Sequence, residues 1–388
     1  MPGAATQTKS APRRVSGVPV ALLAAGGTGG HLFPAEALAS VLQARGWRVE
    51  LVTDTRVSGM GERFPARAMH VVPSGTLPLR DPLKAIKGVY RLAQGYIAAR
   101  NLVASIAPRI VVGFGGYPTL PPVFAAAHKG VATIIHDQNA VMGRANRLLA
   151  PHVTAIATAF DEVRHLPEKH AGKAKRVGVP VRKAVLAAAQ RQFDIPEAGG
   201  ALNLLVFGGS QGARVMSEIV PPGLAQLPED IRSRLHVVQQ CRPEDVAGVQ
   251  ALYAQAGISA DLQPFFSDLP QRMAASHLVI SRSGASTVAE LGVIGRPAIM
   301  VPLPHALDND QLYNGRALQE AGGGHVIEQD QFTPQAVAGI IAETARDPSR
   351  LAEGAAAAKR FGTPRAAEAL ADYVAEIAET DPLGVSPA

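Results

Sequence analysis

Cysteine is almost absent. Cys241 is the single one in 388 residues, which excludes a disulfide framework and any multi-cysteine metal site or cluster. Charged residues are sparse at 18% and aromatic residues reach 5%, yet hydrophobic residues make up 47%, so wholesale disorder is excluded too. No uncharged run is suited to cross a membrane as one helix. The longest, Ile110–Ala127, is broken by Pro118, Pro121, Pro122 and the group Gly113, Gly115, Gly116. The start of the chain imitates a secretory signal, with Arg13 and Arg14 ahead of the apolar run Val18–Ala25. A glycine-rich loop follows instead of a cleavage site, so Val18–Ala25 reads as a first buried strand and Met1–Gly17 as a disordered polar tail. The expected location is cytoplasmic.

Acidic residues are scarce in one half only. Residues 1–185 carry 24 Lys+Arg against 9 Asp+Glu, a net of +15, whereas the rest carry 14 against 23, a net of −9. A basic half joined to an acidic half implies two surfaces with different partners.

Short β-type runs alternate with amphipathic helical stretches along nearly the whole chain. Strands are expected at Val20–Ala25, Val49–Thr53, Ile110–Gly113, Ala132–His136 and Val153–Ala157, then at Asn203–Phe207, Leu235–Gln240, Leu278–Ser281 and Ala298–Val301. Helices are expected at Pro34–Arg45, Pro82–Ile106, Arg214–Leu227, Pro243–Ala256, Asp310–Ala321 and Pro364–Ile377. This alternation predicts an α/β fold with mostly parallel sheets. A weak repeat divides it: ALLAAGGTGGH (Ala21–His31) and NLLVFGGSQGA (Asn203–Ala213) each set a glycine turn between a strand and a helix. Two Rossmann-like domains follow, residues 18–182 and 183–363, with a C-terminal helix at about 364–380 free to pack on either.

Each glycine turn offers backbone N–H groups and a helix N-terminus, an arrangement suited to phosphate but equally to a tight turn with no ligand. Neither turn has dinucleotide-fingerprint or P-loop spacing, which disfavours a nicotinamide-dependent dehydrogenase. His31 follows the first turn directly. The positive end of a helix disfavours imidazolium, which suits His31 as a base; the alternative is a loop hydrogen bond. In SRSGASTVAEL (Ser281–Leu291), Ser283, Ser286 and Thr287 stand at a helix start with Glu290 one turn on. A carboxylate there can accept from a ribose diol, or the group is simply a capping array. Asp308 and Asp310 form an Asp-x-Asp that could hold a divalent metal, but Asp308 reads better as the N-cap of the next helix, so no metal is expected.

Helix 82–106 and the residues before it carry a basic stripe, Arg80, Lys84, Lys87 and Arg91, beside an apolar one, Leu79, Leu83, Ile86, Tyr90, Ala93 and Ile97. A helix packed on its own core would show the same pattern. In a half of net +15, the all-basic stripe points to an anionic membrane surface. Nucleic acid is not expected as a partner, since no aromatic-rich RNA motif or DNA-reading module is present.

Together GGTGGHLFPAEALA (Gly26–Ala39), GFGGYPTLPP (Gly113–Pro122), HDQNAVMGRANR (His136–Arg147), GVPVR (Gly178–Arg182), GGSQGAR (Gly208–Arg214), SRSGASTVAEL and DNDQLYN (Asp308–Asn314) resemble, in order, the motifs of the MurG family. These are inverting N-acetylglucosaminyltransferases that turn lipid I into lipid II in peptidoglycan synthesis. The resemblance implies a GT-B fold, two Rossmann-like domains facing a central cleft, with no cofactor and no metal. It implies UDP-N-acetylglucosamine as donor, lipid I as acceptor, and residence on the cytoplasmic face of the bacterial inner membrane. Carried over by motif, the donor would meet Thr28, Gly29, Gly30, Asn139, Arg182 and Ser210, the backbone of Phe266, the segment Ala285, Ser286, Thr287, Val288, Ala289 and Glu290, and Gln311. His31 would be the base, helped by Asp137 and Tyr117. Asp137 stands where the family usually has Glu, Asp310 where His or Gln is common, and the tail is longer than usual. The rivals are another GT-B transferase or a UDP-sugar epimerase, and a non-catalytic nucleotide-binding protein.

Overall fold

The computed structural model describes residues 17–380 except 27–28, 55–63, 76–81, 198, 210–211 and 305, and for 82–85 and 307 the backbone alone. Thr28, Leu79, Arg80 and Ser210 therefore lie outside the described residues, as do the side chains of Leu83 and Lys84.

The chain builds two lobes, each on its own parallel sheet. The first contains β1 (Val20–Ala24), α1 (Gly29–Ala44), β2 (Arg48–Thr53), β3 (Ala68–Val71), α2 (Pro82–Ile106), β4 (Ile110–Gly113), α3 (Leu120–His128), β5 (Ala132–Asp137), α4 (Arg144–Leu149), β6 (Ala155–Thr158) and β7 (Ala174–Arg176). After α5 (Lys183–Ala188) the second contains β8 (Leu202–Phe207), α6 (Arg214–Ala225), α7 (Glu229–Arg232), β9 (Leu235–Gln240), α8 (Val246–Gln255), β10 (Ser259–Gln263), α9 (Leu269–Ala275), β11 (Leu278–Ser281), α10 (Ala285–Ile294), β12 (Ala298–Met300), α11 (Asp310–Glu320) and β13 (Gly324–Val326). Helices α12 (Pro334–Arg346), α13 (Ser349–Phe361) and α14 (Ala366–Glu379) finish the chain.

The strand orders are β3-β2-β1-β4-β5-β6-β7 and β10-β9-β8-β11-β12-β13. Both reverse direction beside the strand that opens the lobe, between β1 and β4 and between β8 and β11. In open parallel sheets such switch points leave a crevice beyond the strand C-termini, where ligands bind. Burial on both faces explains the unbroken apolar strands. In β1, Ala21 and Leu23 face a core formed with α1 and α14, and Leu22 and Ala24 face another formed with α2 and α3. In the second lobe, α6, α8 and α12 cover one face, and α5, α9 and α10 the other.

Helix α14 returns to the first lobe, where Leu370, Tyr373 and Val374 complete the core around Leu23 and Leu38. The chain therefore passes between lobes twice. The two passages touch: Gly178 has φ +87°, and a Cβ there would lie 2.3 Å from Thr363 Oγ1, so glycine is needed for both reasons.

Helix α1 begins at Gly29, five residues before the expected Pro34. Pro34 has no N–H to return to the Gly30 carbonyl, but the helix accommodates it near its start, and His31 thereby sits in the first turn. On α2, the expected apolar stripe does not face the core. Ile86, Tyr90 and Ile97 are 67%, 64% and 62% exposed, with Val89, Lys87 and Arg91 exposed beside them. The buried side is instead Gly88, Gly95, Ala99 and Val103. A Cβ at Gly95 would lie 2.0 Å from the Pro73 carbonyl oxygen, and one at Gly75 would lie 2.5 Å from that of Gly88. The helix therefore lies too close to its neighbours for side chains at these points.

Candidate functional site

A cavity of about 840 Å³ lies between the lobes, at the two switch points. The first lobe contributes Gly29, Gly30, His31 and Asn139, and Arg182 comes from the crossing segment. The second lobe contributes its glycine turn (Gly208, Gly209, Gly212), Phe266, the start of α10 (Ala285, Ser286, Thr287, Glu290) and Gln311. A smaller cavity of about 200 Å³ adjoins it, walled by Gly115, Gly116, Tyr117, Asp137, Gly143 and Arg144 of the first lobe and by Asp308 and Asp310 of the second. His31 and Asn139 line both.

The glycines after β4 make room for the imidazole. Gly115 and Gly116 have φ of +90° and +78°, and a Cβ on either would stand 3.4 Å from the His31 ring. His31 is thus wedged in the first switch-point crevice, on the wall shared by the two cavities.

Burial and hydrogen bonding separate the polar residues. Glu290 is nearly buried and pairs with Arg182, Oε1 to Nη2 3.3 Å. Burial pushes its carboxyl upward and the Arg182 charge opposes this. The Arg182 guanidinium also stacks 3.9 Å from the centre of the Phe33 ring, which holds it beside the cavity. Ser286 Oγ is buried in the cavity wall with no protein partner, so it is available to a ligand. Gln240 ties the second glycine turn to the Phe266 loop, accepting from Gly208 N at 3.1 Å and donating to the Pro264 carbonyl at 3.2 Å.

Asp137 is 1% exposed and its carboxylate accepts from Asn139 N (3.1 Å), Gly143 N (2.9 Å) and Asn146 Nδ2 (2.9 Å). Burial nevertheless pushes its carboxyl above the usual range. These bonds shape the loop after β5, the wall of the smaller cavity, and commit both oxygens. Neighbouring His136 is buried, donating from Nε2 to the Gly178 carbonyl (2.9 Å) and facing Gln138 Nε2 with Nδ1 (3.1 Å). Burial lowers its pKa to about 4, so it is neutral.

One expectation is narrowed and one needs correction. The side chains of Val288 and Ala289 pack in the second-lobe core and do not line the large cavity. With about 3.6 residues per turn, Val288 falls opposite the side of α10 that turns Ser286 and Glu290 to the cavity, and Ala289 falls beside that side. Asp308 is not an N-cap. It has φ +61°, the cap position of α11 falls on Asn309, and the Asp308 carboxylate pairs with Arg147 and, at 3.6 Å, Arg144 of the first lobe. Among the described residues no group of three or more His, Cys, Asp or Glu is placed to hold a metal ion.

Sequence reading missed the contacts that join the lobes. Asn314, wholly buried, accepts from Ala140 N and donates to Asn139 Oδ1, and Arg164 lies 4.0 Å over the Tyr313 ring. It also missed Arg282, which grips the carbonyls of Val301 and Pro302 and the side chain of Gln329. That holds the strap whose Leu303 N–H bonds Gln311 Oε1 at 3.0 Å. The quoted motifs contained Asn314 and Arg282, but nothing in them marked a partner so distant in sequence.

Comparison with known proteins places this geometry. Residues 21–158 match the glycosyltransferase family 28 N-terminal domain and residues 203–370 its C-terminal domain. UDP-N-acetylglucosamine–N-acetylmuramyl-(pentapeptide) pyrophosphoryl-undecaprenol N-acetylglucosamine transferase of Allorhizobium ampelinum is 51% identical over 92% of this chain and 95% of its own length. The protein of that name from a Methylobacterium strain is 54% identical over 93% and 97%. Among solved structures, MurG of Acinetobacter baumannii superposes with a TM-score of 0.73 at 28% identity, covering 92% of this chain and all of that one. A UDP-GlcNAc 2-epimerase from Neisseria meningitidis, TM-score 0.63 at 12% identity, shares the fold. The chain belongs to glycosyltransferase family 28 and, within it, to the MurG family of UDP-N-acetylglucosamine-dependent transferases.

Proposed function

We propose that this protein transfers N-acetylglucosamine from UDP-N-acetylglucosamine to the C4 hydroxyl of the N-acetylmuramoyl unit of lipid I, giving lipid II. The observation that carries the reading is the position of His31 on the wall common to a nucleotide-sized cavity and a smaller one beside it. A base there can take the proton of an acceptor hydroxyl whose oxygen faces the donor's anomeric carbon. An α-linked donor giving a β-linked product needs one in-line displacement with inversion. His31 takes the hydroxyl proton as the oxygen attacks, and the bond to the diphosphate breaks as UDP departs.

The donor spans the second lobe. Phe266 meets the uracil through its backbone, Glu290 accepts from the ribose, and Ser286, Thr287 and the amides of Gly208, Gly209 and Gly212 face the diphosphate. Arg182 and the N-termini of α1 and α10 stabilise the charge on departing UDP. Asn139 and Gln311 hold the sugar, with Gly29 and Gly30 closing the cleft. Tyr117 and Asp137 serve the acceptor side, Asp137 as a positioning residue. In this reading the lobe boundary falls between Arg182 and Lys183, and the chain returns to the first lobe at about residue 364.

No described helix is long and apolar enough to cross a membrane. The exposed stripe on α2 gives the enzyme a peripheral route to its lipid acceptor: Ile86, Tyr90 and Ile97 enter the interface while Lys87 and Arg91 meet anionic headgroups. Radiolabelled UDP-N-acetylglucosamine incubated with lipid I should yield labelled lipid II. Release of free sugar or of an epimer, with no labelled lipid, would refute the assignment.

A further inference from the structure

Ala140 fixes the hydrogen-bond polarity of the lobe junction. Its backbone N–H can only donate, and it donates to Asn314 Oδ1 at 2.8 Å. The orientation of the Asn314 amide is thereby settled, and Nδ2 must point the other way. It donates to Asn139 Oδ1 at 2.9 Å and lies 3.4 Å from the Ser283 carbonyl. Asn314 is wholly buried, so water does not compete for these bonds.

Asn139 therefore accepts with its oxygen, leaving its NH2 to face the cavities it lines. On the second lobe the same logic applies to Gln311. The Leu303 N–H occupies Gln311 Oε1, which turns Nε2 toward the cavity. Two amides from different lobes are each oriented by a backbone N–H, one directly and one through Asn314.

We propose that Asn314 is a positioning residue that locks Asn139 as a hydrogen-bond donor, so that Asn139 and Gln311 read the transferred sugar through its oxygen atoms as acceptors. This rests on the donor reading given above. It also makes the sugar contact depend on the lobe junction, because Asn139 and Asn314 belong to opposite lobes.

The test uses the full chain with lipid I, measuring kcat/KM for UDP-N-acetylglucosamine and the Kd of UDP, which lacks the sugar. Asn139→Asp keeps an oxygen for the Asn314 N–H but has no N–H for the sugar. It should lose about 10- to 100-fold in kcat/KM while UDP binds within about twofold of wild type. Asn314→Asp still accepts from Ala140 but cannot donate to Asn139, and should show the same sugar-specific loss. In an Asn139→Ala background that loss should shrink to less than about twofold, because Asn314 acts through Asn139. Unimpaired transfer by Asn139→Asp would overturn the proposal even if Asn314→Asp failed to fold. Equal weakening of UDP and UDP-N-acetylglucosamine by Asn314→Asp, or full additivity with Asn139→Ala, would overturn it too. A wild-type enzyme that binds UDP but neither binds nor transfers the sugar would instead sink the donor reading itself.

Discussion

His31 and His136 occupy the same lobe in opposite settings, one on a cavity wall and one in the core. His31 lines two cavities, and His31→Ala should lower kcat/KM on lipid I by about 10²–10⁴ while leaving UDP affinity nearly unchanged. Near-normal turnover would remove it as the base. His136 is buried and neutral, with its pKa at about 4 against an ordinary 6.5. Between those values the unfolded chain takes up a proton that the folded chain refuses. This contribution to stability is intact above pH 6.5 and declines as pH falls toward 4, by roughly 3 kcal/mol at full extent. Burial raises the carboxyls of Asp137 and Glu290, which gives their contribution the opposite sign: it is present in acid and lost as pH rises through their folded values. The melting temperature should therefore drop between pH 7.5 and pH 5, and His136→Gln should shrink that drop; an undiminished drop in the variant would assign it elsewhere.

At the scale of elements, α2 shows how far a helical wheel can be trusted. The stripes were legible as spacing, but which stripe faced inward was not, because Gly88 and Gly95 carry no hydrophobic signal and mark the inward side by close approach. Gly95→Val should destabilise the fold by roughly 3 kcal/mol, read as a lowered melting temperature, since nothing near Pro73 can accommodate the new methyls. Lys87→Glu with Arg91→Glu should weaken binding to anionic vesicles, each lost cation costing about 1 kcal/mol, with turnover on a water-soluble acceptor preserved. Equal losses in both assays would point to misfolding. The sheets divide in the same way. Central strands such as β1, β4, β8 and β11 were readable from unbroken apolar runs. The edge strands β3, β7, β10 and β13 were not, being three to five residues long and only partly buried. Edge strands are kept short and polar against unwanted pairing, which erases the pattern that would reveal them. The glycine turns and α10 start were legible because a tight strand-to-helix turn calls for glycine and small hydroxyl residues. The junction of Asn314 with Ala140 was not, because the two stand 174 positions apart.

For the whole molecule, the proposed departure of UDP against amides, helix termini and Arg182 calls for no metal ion. Turnover should persist undiminished in excess chelator, and a loss restored by added divalent cation would contradict this. The clasp of Arg144 and Arg147 on Asp308 links the lobes beside the smaller cavity, and the crossing segments meet at Gly178 and Thr363. Deleting residues 364–380 should uncover the Leu23 and Leu38 face, lower first-lobe stability and promote aggregation, read by thermal melting and light scattering.

That last helix has a bearing on biosynthesis. A ribosome delivers every strand of the first lobe by Arg176, whereas α14 follows the last strand of the second lobe, so the first lobe completes its core only after the second lobe's sheet has been made. Until then α1 alone shields that side of the sheet, and the part that Leu370, Tyr373 and Val374 cover stays open.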